Sequence, residues 1–335
     1  MVTAHKLLNK QLMEKKTMFS KINNRKILVV YRIGIVITTL IVLPLAFVGC
    51  TSATSGQKTF AADQEAVTAF VKAVRENNKE ELMKIFGPDA NELISSGDEI
   101  ADRHGREMFV KSYDEQHKLN AEGGKSVLIV GKNDWPLPIP IIKQDGQFVF
   151  DTSAGKEEIL NRRIGRNELD TIQVVLAIVD AEREYAMKSH DSNGLLEYAQ
   201  KFKSEPGKKN GLYWETKEGE EPSPLGFFAA KAKEEGYFGE KSAEGHQPYH
   251  GYFYRILTAQ GADANGGAFD YIVNGKMIGG FAVVAYPAEY GNSGVMTFIV
   301  NHDGVVYQKD LGEDTEKEAQ NIKLFDPDKT WKKAQ

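Results

Sequence analysis

"GKEEILNRRIGRNELDTIQVVLAIVDAEREYAMK", Gly155 to Lys188, is the most regular stretch of the chain. Leu169, Ile172, Val175, Leu176 and Val179 recur at helical spacing, with Arg183 placed to lay its stem along the edge of the stripe. Gly165 reads as a break between a short helix and this longer one. A one-sided helix of this length needs an apolar surface to cover its stripe, and the chain supplies one downstream. "GYFYRILTA" (Gly251 to Ala259), "AFDYIV", "GGFAVVAYP", "GVMTFIV" and "GVVYQKD" are strand-like runs divided by Gly, Asn and Asp turns. Asp303-Gly304, between "TFIVN" and "VVYQ", is a hairpin signal. Residues 155–335 therefore read as a long helix packed on an antiparallel sheet, with a further short helix opened by Pro224.

Residues 60–154 read as a separate α+β unit. Asp63 is placed to cap a helix carrying Val67, Phe70, Val71 and Val74. A second short helix carries Leu82, Met83, Ile85 and Phe86 to Gly87-Pro88, and a longer polar helix is expected from Asp98 to Gln116. "KSVLIVG" is a strand, and "WPLPIPIIKQDGQFVFD" is two strands joined by the turn Gln144-Asp145-Gly146-Gln147, with Asp-Gly at its centre. Pro136, Pro138 and Pro140 alternate, so the first of these strands is expected to sit at a sheet edge or to start irregularly. Helices followed by a curled hairpin sheet resemble the nuclear-transport-factor-two-like cone, which implies helices on a bent antiparallel sheet around a pocket.

The single cysteine, Cys50, closes an apolar run. Lys21, Arg25, Lys26 and Arg32 precede "IGIVITTLIVLPLAFVG", which is uncharged and shorter than the roughly 20 residues of a membrane-spanning helix. A basic lead, a short apolar core and small residues at its end read as an export signal over residues 1–49, starting at Met1 or Met18. Phe47-Val48-Gly49-Cys50 resembles a bacterial lipobox, with Phe47 in place of the usual Leu; the resemblance implies diacylglyceryl transfer to the Cys50 thiol and cleavage before it. Residues 50–59, "CTSATSGQKT", then form a flexible tether. By resemblance to lipoprotein sorting in Gram-negative bacteria, Thr51 points to the outer membrane, facing the periplasm.

The chain has 335 residues and a formal net charge of −5. Eight basic residues and one acid lie before Cys50, so the rest holds 34 basic against 46 acidic residues, a net of −12. No Lys/Arg stripe of the kind that displaces counterions from phosphates is present, which argues against nucleic acid as a partner. The body behind Cys50 has no thiol for catalysis or thiolate metal binding.

Side chains with chemical promise are few. Tyr286, Glu289 and Tyr290 in "AYPAEYGNSG" are candidates for contact with a glycan or peptide, although tyrosines beside turns more often pack on sheets. Trp135 is a further ligand-contact candidate, against the plainer reading of a rim or core aromatic. Asp102-Arg103-His104 resembles an acid–base cluster, but sequence neighbours do not share a helix face, so a solvated surface is the plainer reading. His246 and His250 in "HQPYH" have metal-like spacing, with Pro248 arguing against the helix that would align them. Arg162, Arg163 and Arg166 would hold an anionic group or, more simply, pair with acids of this body. "GADANGG" lacks the strand–helix context of a dinucleotide loop, and no Gly-x-Ser-x-Gly elbow, Walker loop or zincin helix occurs. No cofactor, metal or catalytic residue is assigned.

Four segments, "LISSGDEIADRHGREMFVKSYDEQHKL", "WPLPIPII", "EEILNRRIGRNELDTIQVVLAIVDAEREYA" and "GYFYRILTAQGADANGGAFDYIVNGKMIGGFAVVAYPAEYGNSGVMTFIVNHDGVVYQKDLG", closely resemble the bacterial domain-of-unknown-function 2950 family. The resemblance covers about Phe60 to Trp331 and implies an exported bacterial protein, with no activity or site residue to carry over. The expectation is a lipid-anchored cell-envelope protein that binds or assembles without catalysis, with an envelope protein or glycan as partner. The alternative is an envelope hydrolase or modifying enzyme using the cone pocket.

Overall fold

A computed structural model describes residues 56–190, 194–217, 219–237 and 247–334; the segment read as an export signal, Cys50 and most of the segment read as a tether lie outside these described residues. Three helices open the fold: α1 (Asp63–Arg75), α2 (Lys79–Phe86) and the single turn α3 (Asn91–Ile94). Asp63 is the first residue of α1 rather than its cap; Ala62 precedes it, and the Asp63 carboxylate accepts the Ser126 hydroxyl at 2.6 Å. Asn78 caps α2 by accepting the Glu81 N–H at 3.0 Å. Asp98 caps α4 (Glu99–Glu115) through the Ile100 and Ala101 N–H groups.

A five-stranded antiparallel sheet follows. Its strands are β1 (His117–Glu122), β2 (Lys125–Val130), β3 (Trp135–Pro136), β4 (Ile141–Gln144) and β5 (Gln147–Phe150). The order is β1-β2-β4-β5, with β3 also paired to β2. β1 is exposed along nearly its whole length, so its residues carry no alternation to read. Asp145 and Gly146 both take positive φ, 50° and 85°, the mirror-image two-residue turn that an Asp-Gly pair favours. Phe70, Phe86 and Phe150 meet at centroid distances of 5.2–5.5 Å, and Phe109 joins Phe70 at 5.3 Å. These rings fill the space between helices and sheet where the cone reading puts a pocket.

Helix α5 (Thr152–Tyr185) is one uninterrupted helix of 34 residues, about 50 Å long. Gly165 does not break it. Asp151 caps it by accepting the Ala154 N–H at 3.2 Å. Its first turns pack on the N-terminal core through Ile159, and its later turns pack on the C-terminal core through Val174, Val175, Ile178, Val179 and Tyr185. The buried stripe also takes in Thr171 and Glu182, while Leu169 stands 59% exposed. Apolarity alone therefore misplaced the stripe by part of a turn.

Helix α6 (Gly226–Glu234) leads towards a second sheet. The strands of this half are β6 (Tyr252–Leu257), β7 (Ala259–Gln260), β8 (Phe269–Asp270), β9 (Ile272–Val273), β10 (Lys276–Met277), β11 (Ala282–Pro287), β12 (Met296–Asn301), β13 (Tyr307–Asp310) and β14 (Lys332–Lys333). Five of them form an antiparallel sheet in the order β14-β13-β12-β11-β6. A short helix, α7 (Thr315–Asn321), covers β11 on one side and α5 packs on β12 and β11. Residues 52–335, which contain both buried cores, form one compact unit. Among the described residues, no helix is long and apolar enough to cross a membrane.

Candidate functional site: an aromatic groove at the edge of the second sheet

Strand β6 is the end strand of its sheet, paired only with β11. The Ala288 N–H donates to the Gly251 carbonyl, and Tyr249 and Tyr252 exchange main-chain bonds on the other side. In an antiparallel pair these directions alternate, so the main-chain groups of Tyr254 point away from β11. A cavity of about 840 Å³ runs along this edge. Val174 and Ile178 of α5 form one wall, Leu225, Phe228 and Ala229 another, and Tyr237, Pro248 and Tyr249 an end. Strands β6 and β11 contribute Phe253, Arg255 and Tyr286 on one face and Tyr254 on the other. Phe253 and Tyr286 are register partners with rings 5.6 Å apart.

Burial raises the phenols of Tyr237, Tyr249, Tyr254 and Tyr286 above the ordinary tyrosine value. They are neutral hydrogen-bonding groups near pH 7, not bases. Arg255 sits half-buried in the groove. Its Nη2 donates to the Ala319 and Ile322 carbonyls, both at 2.8 Å, at the end of α7. Desolvation lowers its pKa, an effect partly opposed by Tyr286. Lys203, Lys323 and Glu316 also line the groove.

Next to the groove lies a polar junction between the two halves. The Asp98 carboxylate is buried and accepts the Tyr237 hydroxyl and the Gly251 N–H, both at 2.9 Å, besides its two capping bonds. Desolvation raises its pKa, opposed by these hydrogen bonds. Arg163 donates to the Glu92 and Leu93 carbonyls at 2.6 and 2.9 Å, and to Asn292 Oδ1. Asn292 Nδ2 reaches the Ser95 carbonyl at 2.9 Å and Glu289 Oε2 at 2.7 Å. Glu168 Oε1 accepts the Val295 and Met296 N–H groups, both at 3.0 Å. Each of these charged groups holds a turn or a helix end in place. His250, at φ 51°, lies with Nε2 3.6 Å from Glu235 and Nδ1 3.8 Å from Asp170.

The four contact candidates from the sequence fall in separate places. Tyr286 lines the groove. Glu289 belongs to the polar junction, where its carboxylate also lies against Gly97: a Cβ there would meet Glu289 Oε1 at 2.8 Å. Tyr290 is tied through its hydroxyl to Asp310 at 3.0 Å. Trp135 is 38% exposed at the edge of the first sheet, with the Arg162 guanidinium 5.6 Å from its ring centroid. Of the arginine cluster, Arg162 pairs with Glu158 at 2.6 Å, while Arg163 is spent on carbonyls and Asn292. Asp102 accepts the Ser96 N–H at 2.9 Å and His104 is exposed, in keeping with a solvated face. His246 lies outside the described residues. Among these residues, no group of three or more His, Cys, Asp or Glu is placed to hold a metal ion.

Sequence reading missed Phe253, Tyr254, Arg255 and Tyr249 as site residues. The available signal was "HGYFYRIL", a strand aromatic on both faces. Such a strand needs cover on both sides, and at a sheet edge that cover can form a groove.

A family model described as a protein of unknown function, DUF2950, matches residues 57–334. No curated protein and no solved structure matches the chain.

Proposed function

We propose, for a chain that belongs to the DUF2950 family of proteins of unknown function, that it is an exported, lipid-anchored component of the bacterial envelope whose body binds a ligand without transforming it. The observation that carries the binding reading is the groove. Its size lies in the range of small-ligand sites, and its walls are aromatic and aliphatic with a few polar groups. Of the charged groups beside it, Asp98, Arg163 and Glu168 already hold backbone in place, and Glu289 holds the Asn292 side chain. Attachment rests on the sequence around Cys50, and placement in the outer membrane on Thr51. An envelope glycan or protein is the source we expect for the bound group.

Two measurements test this reading. Cys50→Ser should abolish acyl labelling and leave the precursor uncut; unchanged labelling refutes the anchor. Residues 52–335, incubated with envelope glycan and peptide substrates, should retain ligand without turnover. Turnover that is lost in His250→Gln would replace this reading with the envelope enzyme, which the position of His250 between Asp170 and Glu235 favours.

A further inference from the structure

The groove carries an imbalance of charge that points to the kind of ligand it takes. Among the described residues, three cations, Lys203, Arg255 and Lys323, line it against one acid, Glu316. The body around it has the opposite sign, with 34 basic against 46 acidic residues from Cys50 onward. Elsewhere on the surface lysines and arginines are commonly paired, as in Lys79–Glu99 at 3.1 Å, Lys118–Asp134 at 2.8 Å, Lys156–Glu92 at 2.8 Å and Arg75–Asp114 at 2.7 Å. Among the described residues, none of the three groove cations has a carboxylate within ion-pair distance.

Arg255 is the most telling of the three. Its two hydrogen bonds to the end of α7 use Nη2 and fix the guanidinium beside Phe253 and Tyr286. Nε and Nη1 are not spent on protein groups among the described residues. A guanidinium held in a partly dry, aromatic-walled site is matched by a planar acidic group, which accepts its N–H groups and neutralises its charge. The remaining lining is apolar enough to take the body of the same molecule.

We propose that the groove is a receptor site for a small amphipathic anion, with an apolar or ring-bearing body along Phe253 and Tyr286 and an acidic group held by Arg255 in the positive field of Lys203 and Lys323. This rests on the binding reading above and narrows it to a ligand class. A neutral ligand of the same shape would leave the excess of positive charge over Glu316 uncompensated.

The experiment compares two fluorescent probes on residues 52–335: 1-anilinonaphthalene-8-sulfonate and its uncharged relative N-phenyl-1-naphthylamine. The sulfonate should bind saturably at one site and more weakly as salt is raised. Lys203→Glu with Lys323→Glu, both at exposed positions, should weaken the sulfonate by about tenfold or more and leave the neutral probe within about twofold. Arg255→Gln should do the same, with the surface double variant as the control that leaves the Arg255 bonds to the Ala319 and Ile322 carbonyls in place. Competition by 2-naphthoate or by decanoate supports the class and distinguishes a ring-bearing from a chain-like source. Displacement by 2-naphthol as strong as by 2-naphthoate, or equal loss of both probes on charge reversal, overturns the anion assignment while the groove stands. Failure of both probes to bind sinks the binding reading itself.

Discussion

The two ends of helix α5 meet two different interiors. At its beginning, the helix closes a core in which Phe70, Phe86 and Phe150 interlock edge to face and Phe109 packs tilted on Phe70. At its end, Val174 and Ile178 face a groove of about 840 Å³. One region uses aromatic rings to fill space, and the other uses them to line it. The difference separates residues kept for stability from residues available to a ligand. Phe150→Ala should be the most damaging single change, costing about 3–5 kcal/mol, because a fully buried ring is removed from a packed cluster. Tyr286→Ala, which only deepens an existing opening, should cost about 1 kcal/mol or less and instead weaken probe binding. Urea unfolding of both variants checks the contrast. Equal losses would show that the groove tyrosine is a core residue.

Glu182 sharpens the comparison from within the C-terminal interior. It lies on the buried stripe of α5 and is fully inaccessible. Oε2 accepts the Ala199 N–H at 2.8 Å, while Oε1 has no hydrogen-bond partner. Desolvation, only partly opposed by that bond, pushes its pKa up to about 8. The folded protein therefore keeps a proton that the unfolded chain releases above its ordinary carboxylate value. This group's contribution to stability falls as pH rises from about 4.5 to about 8, by up to about 1.4 kcal/mol per pH unit, and levels off beyond. Glu182→Gln removes that slope. The variant should be no more stable than the parent near pH 5 and a few kcal/mol more stable near pH 9. Parallel stability curves for the two proteins across this range would show that Glu182 is ionised in the folded state.

The sequence made the architecture legible because long amphipathic runs and turn pairs are local signals. The capped start of α4, the Asp145-Gly146 hairpin and the strands from Tyr252 onward all follow from neighbours within a few residues. The polar core positions Thr171 and Glu182 were not legible, since a hydrophobic pattern assigns such residues to solvent. Nor was β1, whose exposed strand buries too little for alternation to appear. Of the candidate site, only Tyr286 was found. The groove joins α5, α6 and β6, far apart in the chain, and no linear spacing encodes their meeting. Glu289 and Tyr290 stand beside Tyr286 in sequence but hold the β11–β12 turn and its neighbours.

Two glycines of α5 give the finest test of how differently the helix is packed along its length. A Cβ at Gly155 would lie 2.6 Å from the Pro138 carbonyl oxygen and 2.7 Å from the Ile139 nitrogen, both backbone atoms that cannot swing aside. Nothing lies within 4 Å of a Cβ at Gly165. Both positions are helical, so alanine is favoured at each by about 0.8–1 kcal/mol on intrinsic grounds. At Gly165 that gain should appear as greater stability, because the helix is continuous there. At Gly155 the close approach of the 138–139 backbone should reverse the sign, with a net loss of about 1–3 kcal/mol as the helix and the β3–β4 connection are pushed apart. Thermal unfolding of Gly155→Ala and Gly165→Ala reads both. If Gly165→Ala were destabilising, the continuous path of the helix through that point would be wrong. If Gly155→Ala were neutral, the first turn of α5 would not be seated against the first sheet as closely as these distances require.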